Sequence, residues 1–362
     1  MMMTNTLGRY FAGKFVGTAL AVFSGIFVLV LLIDYIEMSR RTSGIATASA
    51  GMVALTSAYR VPQLLERMMP FCVLVATMVC YLGLSRRYEL VVARAAGISA
   101  WQFLTPALVS ALVLGAGATL VYNPVSATLQ ERAKQMEATF FAKNENLQET
   151  TGFWLNQVAS DGQTIINARN SQQRGTVLTG LTVFRFNTEG RFVERIEANE
   201  AVLEPGFWVL KGVRRFQLDQ PRIEQETFRI ATNLSADQVL GRFATPDSVP
   251  FWELPEYIES SVKSGSSGAG YRLQFHKLLA QPFLLAAMVL LASATSLKFI
   301  RLGGVQKLVL GGVIAGFLLY VLSKATEDLS KAELMHPFIA AWLPIVVGSF
   351  TGVLALLYQE DG

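Results

Sequence analysis

Charge is scarce in this chain. Of its 362 residues, 16% are Asp, Glu, Lys or Arg and 52% are hydrophobic, whereas a soluble domain carries about 25% charge. That balance places it among membrane proteins before any motif is read. Cysteine is scarcer still: Cys72 and Cys80 are the only two, both inside one apolar run. Eight residues of helix at 1.5 Å per residue hold their Cα atoms about 12 Å apart, too far for a disulfide, so both read as packing residues. His276 and His336 are single residues at the outer ends of spans and read as interfacial anchors. No Gly-x4-Gly-Lys-Ser/Thr loop, His-Glu-x-x-His motif or paired cysteine occurs. Binding of ATP in the phosphate-loop manner is therefore excluded, and nothing sets a catalytic nucleophile or a metal. The net charge of +4 is modest and sits beside apolar runs, which marks topology rather than a nucleic-acid surface.

Long apolar runs are what the chain does have. A hydrocarbon core of about 30 Å takes roughly 20 apolar residues of helix. Phe15 to Ile33, Met69 to Leu84 (extended back to Pro62), Phe103 to Val121, Leu278 to Leu297 and Pro337 to Tyr358 meet that length. Leu308 to Leu322, lengthened by Val305 and Ser323, makes a sixth span. The first is too long, and lacks a small-residue cleavage site, for a signal peptide. Positive residues favour the cytoplasm. Arg9 and Lys14, then Arg86, Arg87 and Arg94, then Lys298, Arg301 and Lys307 share one side if both termini are cytoplasmic. Arg40, Arg41 and Arg60 then lie outside, against the rule. Pro62, Pro70 and Pro106 offer spans two and three places to bend.

Between spans three and four the texture changes. Thr128 to Asn146 reads as a charged helix continuing span three. Leu181 to Phe186, Arg191 to Ile196, Ala201 to Leu203, Trp208 to Leu210, Val213 to Leu218 and Thr227 to Ile230 read as short strands. Turns at Asn187 to Gly190 and Glu204 to Gly206 separate some of them. This predicts an all-β outer domain, a sandwich or open roll, with Ser264 to Gly270 as a flexible return. Phe184, Phe186, Val193 and Trp208 are expected to fill its core, or to line an open apolar groove.

The most informative segment is Leu84 to Ser99, LSRRYELVVARAAGIS, between spans two and three. Leu84, Leu90, Val91, Val92 and Ala95 stand at helical spacing, which a mere solvent loop does not need. Such a helix, about residues 85–97, can press an apolar side into a soluble partner. With six spans, an outer β-domain after the third, Ser85 to Ser99, the Tyr122-Asn-Pro124 exit of span three and Tyr271 to Leu279 entering span four, the whole chain resembles the LptF/LptG lipopolysaccharide export permeases. Tyr271 to Leu279 and Asp34 to Arg41 resemble the LptG branch more.

The resemblance implies a bacterial inner-membrane protein with three parts. Residues 1–125 would carry spans one to three, 126–270 a periplasmic β-jellyroll, and 271–362 spans four to six. It implies an ABC-transporter permease without its own nucleotide site. ATP and magnesium would be bound by a dimeric LptB-type ATPase. Further partners would be an LptF-type paralogue, a single-span LptC-type protein, an LptA-type periplasmic bridge, membrane lipids and lipopolysaccharide as substrate, with no nucleic acid. Coupling to the ATPase falls on Glu89, with Arg86, Arg87, Leu90, Ala95 and Gly97. Against that stands a local Arg86–Glu89 pair, and a simple helix end at Gly97. Substrate phosphates would meet Arg40 and Arg41, although both could merely snorkel to headgroups. Asp34 stands where family members carry a basic residue, and Asp34 and Glu37 could instead pair with Arg40 and Arg41. Lys324, with Glu327 and Asp328, would lie at a lateral gate or form an interfacial charge cluster. The rival readings are a secondary transporter, which would need mid-span ionisable residues that are missing here, and a membrane-anchored β-domain scaffold.

Overall fold

The computed structural model describes residues 2–44, 49–141, 153–159, 162–172, 176–187, 189, 191–217, 221–232, 246–263, 267–297 and 305–360. The chain forms two compact units. One comprises Met1–Lys143, Pro246–Pro255 and Ala269–Gly362, the other Asn144–Thr245 and Glu256–Gly268.

Helices α1 (Met2–Arg41), α2 (Ala50–Arg86), α4 (Ala100–Gly117), α7 (Ala269–Ser296), α8 (Val305–Lys331) and α9 (Pro337–Glu360) supply six segments long and apolar enough to cross a membrane. They extend beyond the expected runs because polar residues continue the helices past the apolar stretch. α2 begins where the Ser49 side chain accepts the Met52 N–H, and it runs through Pro62 and Pro70 as one helix. α4 passes through a π turn, Ala118–Tyr122, into α5 (Asn123–Phe141). The charged continuation of span three is therefore helical as far as Phe141, and 142–146 lie outside the described residues, as do Lys298 and Arg301. α7 is the centre of the bundle, packed against α9, α2, α4 and α8. It crosses α4 closely: a Cβ on Gly115 would sit 2.4 Å from Pro282 Cα, so only glycine lets the backbones meet there. Cys72 and Cys80 are buried free thiols.

Between α2 and α4 lies a short helix, α3 (Glu89–Ala95). It is shorter than the sequence suggests because Tyr88 takes a left-handed backbone (φ 62°), which separates it from α2. Leu84 thus belongs to α2. At its end Gly97 (φ 82°) donates to Arg94 O and Ile98 donates to Ala93 O, the paired bonds of a left-handed helix stop. Ser99 then opens α4 with a capping box, its side chain accepting the Gln102 N–H while Gln102 Oε1 accepts its own N–H.

The second unit holds β1 (Phe153–Ala159), β2 (Gly162–Gln172), β3 (Val177–Phe186), β4 (Phe192–Glu204), β5 (Phe207–Gln217), β6 (Ile223–Ala231) and most of helix α6 (Leu254–Lys263). Each strand pairs antiparallel with the next, in the order β1-β2-β3-β4-β5-β6. Among the described residues this is an open roll made by one meander. Four of the expected strands are halves of two: Arg191–Ile196, from Phe192 on, and Ala201–Leu203 both lie in β4, and Trp208–Leu210 and Val213–Leu218 in β5, with Leu218 outside the described residues. The β4–β5 register is the same on both sides of Asn199 and Gly212. The Glu204–Gly206 turn forms as expected. In the Asn187–Gly190 turn, 188 and 190 lie outside the described residues, while Asn187 Oδ1 accepts the N–H groups of Glu189 and Arg191. In the return, 264–266 lie outside them too.

One sheet face is apolar and closed: Ile166, Leu178, Leu181, Val183, Ile196, Trp208, Leu210 and Ile230 are buried together. Of the four residues expected there, Trp208 fills the core. Phe184 and Phe186 alternate to the other face and Val193 is exposed. Strand parity decides this, because Val183 points inward and its neighbours cannot.

Candidate functional site

Three groups of polar side chains stand out in the helical unit. At one end of the bundle, α3 turns Leu90 and Ala93 into the core. Val91, Val92, Ala95 and Ala96 are exposed instead of packed. The helix therefore keeps an apolar outer side available. Glu89 is half-buried, and it accepts a hydrogen bond from Tyr10 Oη of α1 at 3.0 Å rather than from Arg86. Arg86 and Arg87 are exposed at the end of α2. A Cβ on Gly97 would meet nothing within 4 Å, so this glycine serves the helix stop and not a close contact.

At the outer end of α1, Glu37 receives Arg40 at 2.9 Å and Arg41 at 3.0 Å along the helix. Both arginines remain well exposed, at 77% and 57% of the side chain. Asp34 does not join them. It is buried and faces Arg60 of α2 at 3.5 Å, and Arg60 also holds Glu137 of α5 at 2.8 Å. The anomalous outer positive at Arg60 is thus neutralised by two carboxylates. Asp34 Oδ2 is buried without a hydrogen-bond partner, and Arg60, held by Asp34 Oδ1 and Glu137, ties α1 and α5 to α2.

The third group lines a cavity of about 470 Å³ among α2, α7, α8 and α9, within the usual range for ligand pockets. Lys324 contacts Asp328 at 3.3 Å and Glu327 at 3.6 Å. Glu327 also takes Lys277 of α7 at 2.9 Å and Lys331 at 2.6 Å. The opposite wall carries Glu66, whose carboxylate accepts Asn123 Nδ2 at 2.8 Å and Ser126 Oγ at 2.5 Å. Asp247, on the returning segment Pro246–Pro255, meets Arg67 at 2.9 Å and accepts Gln63 Nε2 through its backbone oxygen. Asn123 Oδ1 accepts the Phe251 N–H, and Trp252 Nε1 donates to Leu120 O in the π turn. A π turn leaves such carbonyls open to outside donors.

Sequence reasoning reached Glu89, Arg40, Arg41, Asp34, Glu37 and Lys324. It missed Lys277, Lys331, Glu66 and Asp247, which come together only when α2, α7, α8 and the returning segment pack. The Tyr122-Asn-Pro124 exit was the one local signal, since Asn123 binds both Glu66 and Phe251. His276 and His336 sit beside Phe338, the former edge-to-face at 5.5 Å and the latter through Nδ1 accepting its N–H.

Comparison with known proteins matches residues 9–358 to the family described as lipopolysaccharide export system permease LptF/LptG. The lipopolysaccharide export system permease protein LptG of Haemophilus influenzae is 22% identical over 349 residues, 94% of this chain and 95% of that protein. The protein of the same name from Escherichia coli K12 is 24% identical over 304 residues, 82% of this chain and 81% of its own.

Proposed function

The chain belongs to the lipopolysaccharide export permease LptF/LptG family, and on that premise we propose that it works as an LptG-type subunit of an inner-membrane ABC transporter. An LptF-type paralogue would complete the membrane pore. A dimeric LptB-type ATPase would bind ATP and magnesium, which this chain has no phosphate loop to hold. LptC-type and LptA-type proteins would receive the lipid.

The observation that carries this reading is α3. A seven-residue helix, hinged at Tyr88 and stopped at Gly97, lies between two spans with Val91 and Val92 exposed and Glu89 reachable at its first turn. A carboxylate at a helix N-terminus beside an apolar strip suits a groove on a soluble partner, and its shortness lets it move with the spans on either side. ATP-driven closure of the partner would tilt α3 with α2 and α4 and narrow the lipid cavity between the two permeases. On this view Arg40 and Arg41 meet the anionic groups of lipopolysaccharide, because cationic side chains give short, strong bonds to phosphate. Glu37 would hold Arg40 and Arg41 in place until lipid arrives.

Solubilising the tagged chain from its native membrane and identifying co-purified proteins and lipid by mass spectrometry tests the reading. A stoichiometric soluble ATPase with bound lipopolysaccharide is the expected result. Recovery of the chain without an ATPase would favour a β-domain scaffold.

A further inference from the structure

The cavity among α2, α7, α8 and α9 has its charges sorted by wall. On the α7–α8 wall Lys277, Lys324 and Lys331 surround one carboxylate, Glu327. Asp328 offsets only Lys324, from outside the cavity lining. That wall keeps an excess of positive charge. The α2 side of the lining carries Glu66 and Asp247 with Arg67, which Asp247 engages, and Lys134 acts on Asp247 through charge from outside the lining. Among the described residues no cation lies within ion-pair distance of Glu66; its hydrogen-bond partners are the neutral Asn123 and Ser126, and Arg67 reaches it only through charge at longer range. Below this divided rim the lining turns apolar, with Leu284, Met288 and Ile345. An ionised carboxylate inside a membrane bundle is costly unless something pairs with it.

We propose that this cavity binds one zwitterionic phospholipid of the phosphoethanolamine type as a resident lipid rather than as cargo. Its phosphate lies against Lys277, Lys324 and Lys331, its primary ammonium donates to Glu66 and Asp247, and its chains run down the apolar lining. The two walls select the headgroup. A purely anionic headgroup would satisfy the lysines but leave Glu66 unpaired. A trimethylated ammonium carries the charge but has no N–H to donate. A polyanionic lipopolysaccharide adds negative charge where the Glu66 wall is already negative. The proposal does not rest on the transport reading, since a scaffold with the same bundle would hold the same lipid.

The test is lipid retention by the purified full chain, in the complex it forms, after exchange through detergent into nanodiscs. These contain phosphatidylethanolamine, phosphatidylcholine or phosphatidylglycerol, with lipopolysaccharide as a fourth arm, and bound lipid is counted by native mass spectrometry. The expected result is one phosphatidylethanolamine per copy, retained at least tenfold better than phosphatidylcholine or phosphatidylglycerol and not displaced when lipopolysaccharide binds. Glu66→Gln should abolish its advantage over phosphatidylglycerol, and Lys277→Gln should lower retention of both, with Lys277→Arg restoring it. Should Glu66→Gln fail to assemble, Lys331→Gln reads the phosphate wall without touching a contact between helices. Equal retention of the three phospholipids, preference for phosphatidylglycerol, displacement of phosphatidylethanolamine by lipopolysaccharide, or an ethanolamine preference that survives Glu66→Gln would each overturn the proposal.

Discussion

Replacing Glu89 by alanine separates a structural role from a coupling role by size of effect. Among the described residues the Glu89 carboxylate accepts one hydrogen bond, from Tyr10 Oη at 3.0 Å, and a partly exposed bond of this kind is worth about 0.5–1.5 kcal/mol. α3 stays anchored by Leu90 and Ala93, which the substitution leaves alone. For a protein of this size 1 kcal/mol moves Tm by roughly 2–4 °C, so the variant should melt within a few degrees of the parent and remain in the membrane. Docked in a groove of a partner, the same carboxylate would be a desolvated, charge-assisted contact, and truncating one partner of such a pair costs about 2–5 kcal/mol. At 1.4 kcal/mol per factor of ten, coupling should fall at least ~30-fold. The assay is ATP-dependent lipopolysaccharide release from vesicles reconstituted with the chain, its paralogue and the ATPase. Tyr10→Phe is the internal control, because it removes the same hydrogen bond and spares the carboxylate; release should stay within about twofold. Unchanged release by Glu89→Ala would refute the reasoning. An equal loss in Tyr10→Phe would refute it too, by assigning the effect to the local bond.

Three further expectations follow from the geometry. Arg40→Ala with Arg41→Ala removes exposed, same-helix pairs to Glu37, which water screens so that they add little to stability, so thermal stability should hold while lipopolysaccharide crosslinking to span one falls; an unaltered crosslink would leave only membrane anchoring. Gly115→Ala forces a Cβ against the Pro282 backbone and should cost about 1–3 kcal/mol, read as a lowered melting temperature, and a variant as stable as the parent would show that α4 and α7 can separate freely. In the β-domain, burial by itself would raise the Glu194 carboxyl, but hydrogen bonds and charge from Arg215, then Gln217 and Arg185, hold it below its ordinary value. Its contribution is therefore complete above the unfolded carboxylate pKa of about 4.3 and is lost as pH falls through the lower folded value. Hydrogen exchange should show β3 to β5 equally protected from pH 8 to about 5 and opening only in stronger acid; loss of protection beginning above pH 5 would contradict the sign.

The spans and the presence of a β-domain were legible because each rests on a local pattern: long apolar runs for the first, clustered β-branched and aromatic residues for the second. β1 and β2 escaped notice for the same reason. Gly162 to Gln172, GQTIINARNSQ, reads as polar, yet Ile166 and Ala168 alternate into the core once β3 pairs with it. The short strands of the sequence reading merged because the polar and small residues between them, Glu197 to Glu200 and Lys211 to Gly212, look in one dimension like a turn, while the pairing runs through them in one register. Tyr88 could not be foreseen as the end of α2, since a left-handed backbone at an aromatic residue has no local signature. Glu89 and Lys324 were found because charge stands out against an apolar background. Tyr10, which donates to Glu89, lies 79 positions away, and Lys277, which shares Glu327 with Lys324, lies 50 positions from that carboxylate, relations set only by packing.

The three cations that appeared to break the positive-inside rule have a shared property. Arg40 and Arg41 face Glu37, and Arg60 faces Asp34 and Glu137. Arg86 and Arg87, at the inner end, have no ion pair among the described residues. Acidic residues contribute little to topology, so these carboxylates are not needed to orient the spans. Their effect is on binding: a cation held by a carboxylate within the same chain is kept from a weak ligand but yields to a multivalent phosphate, which offers more acceptor oxygens than it displaces. On the proposed function, this pairing would raise the threshold for lipid capture. The unpaired inner arginines remain open to whatever acidic surface or headgroup meets α3.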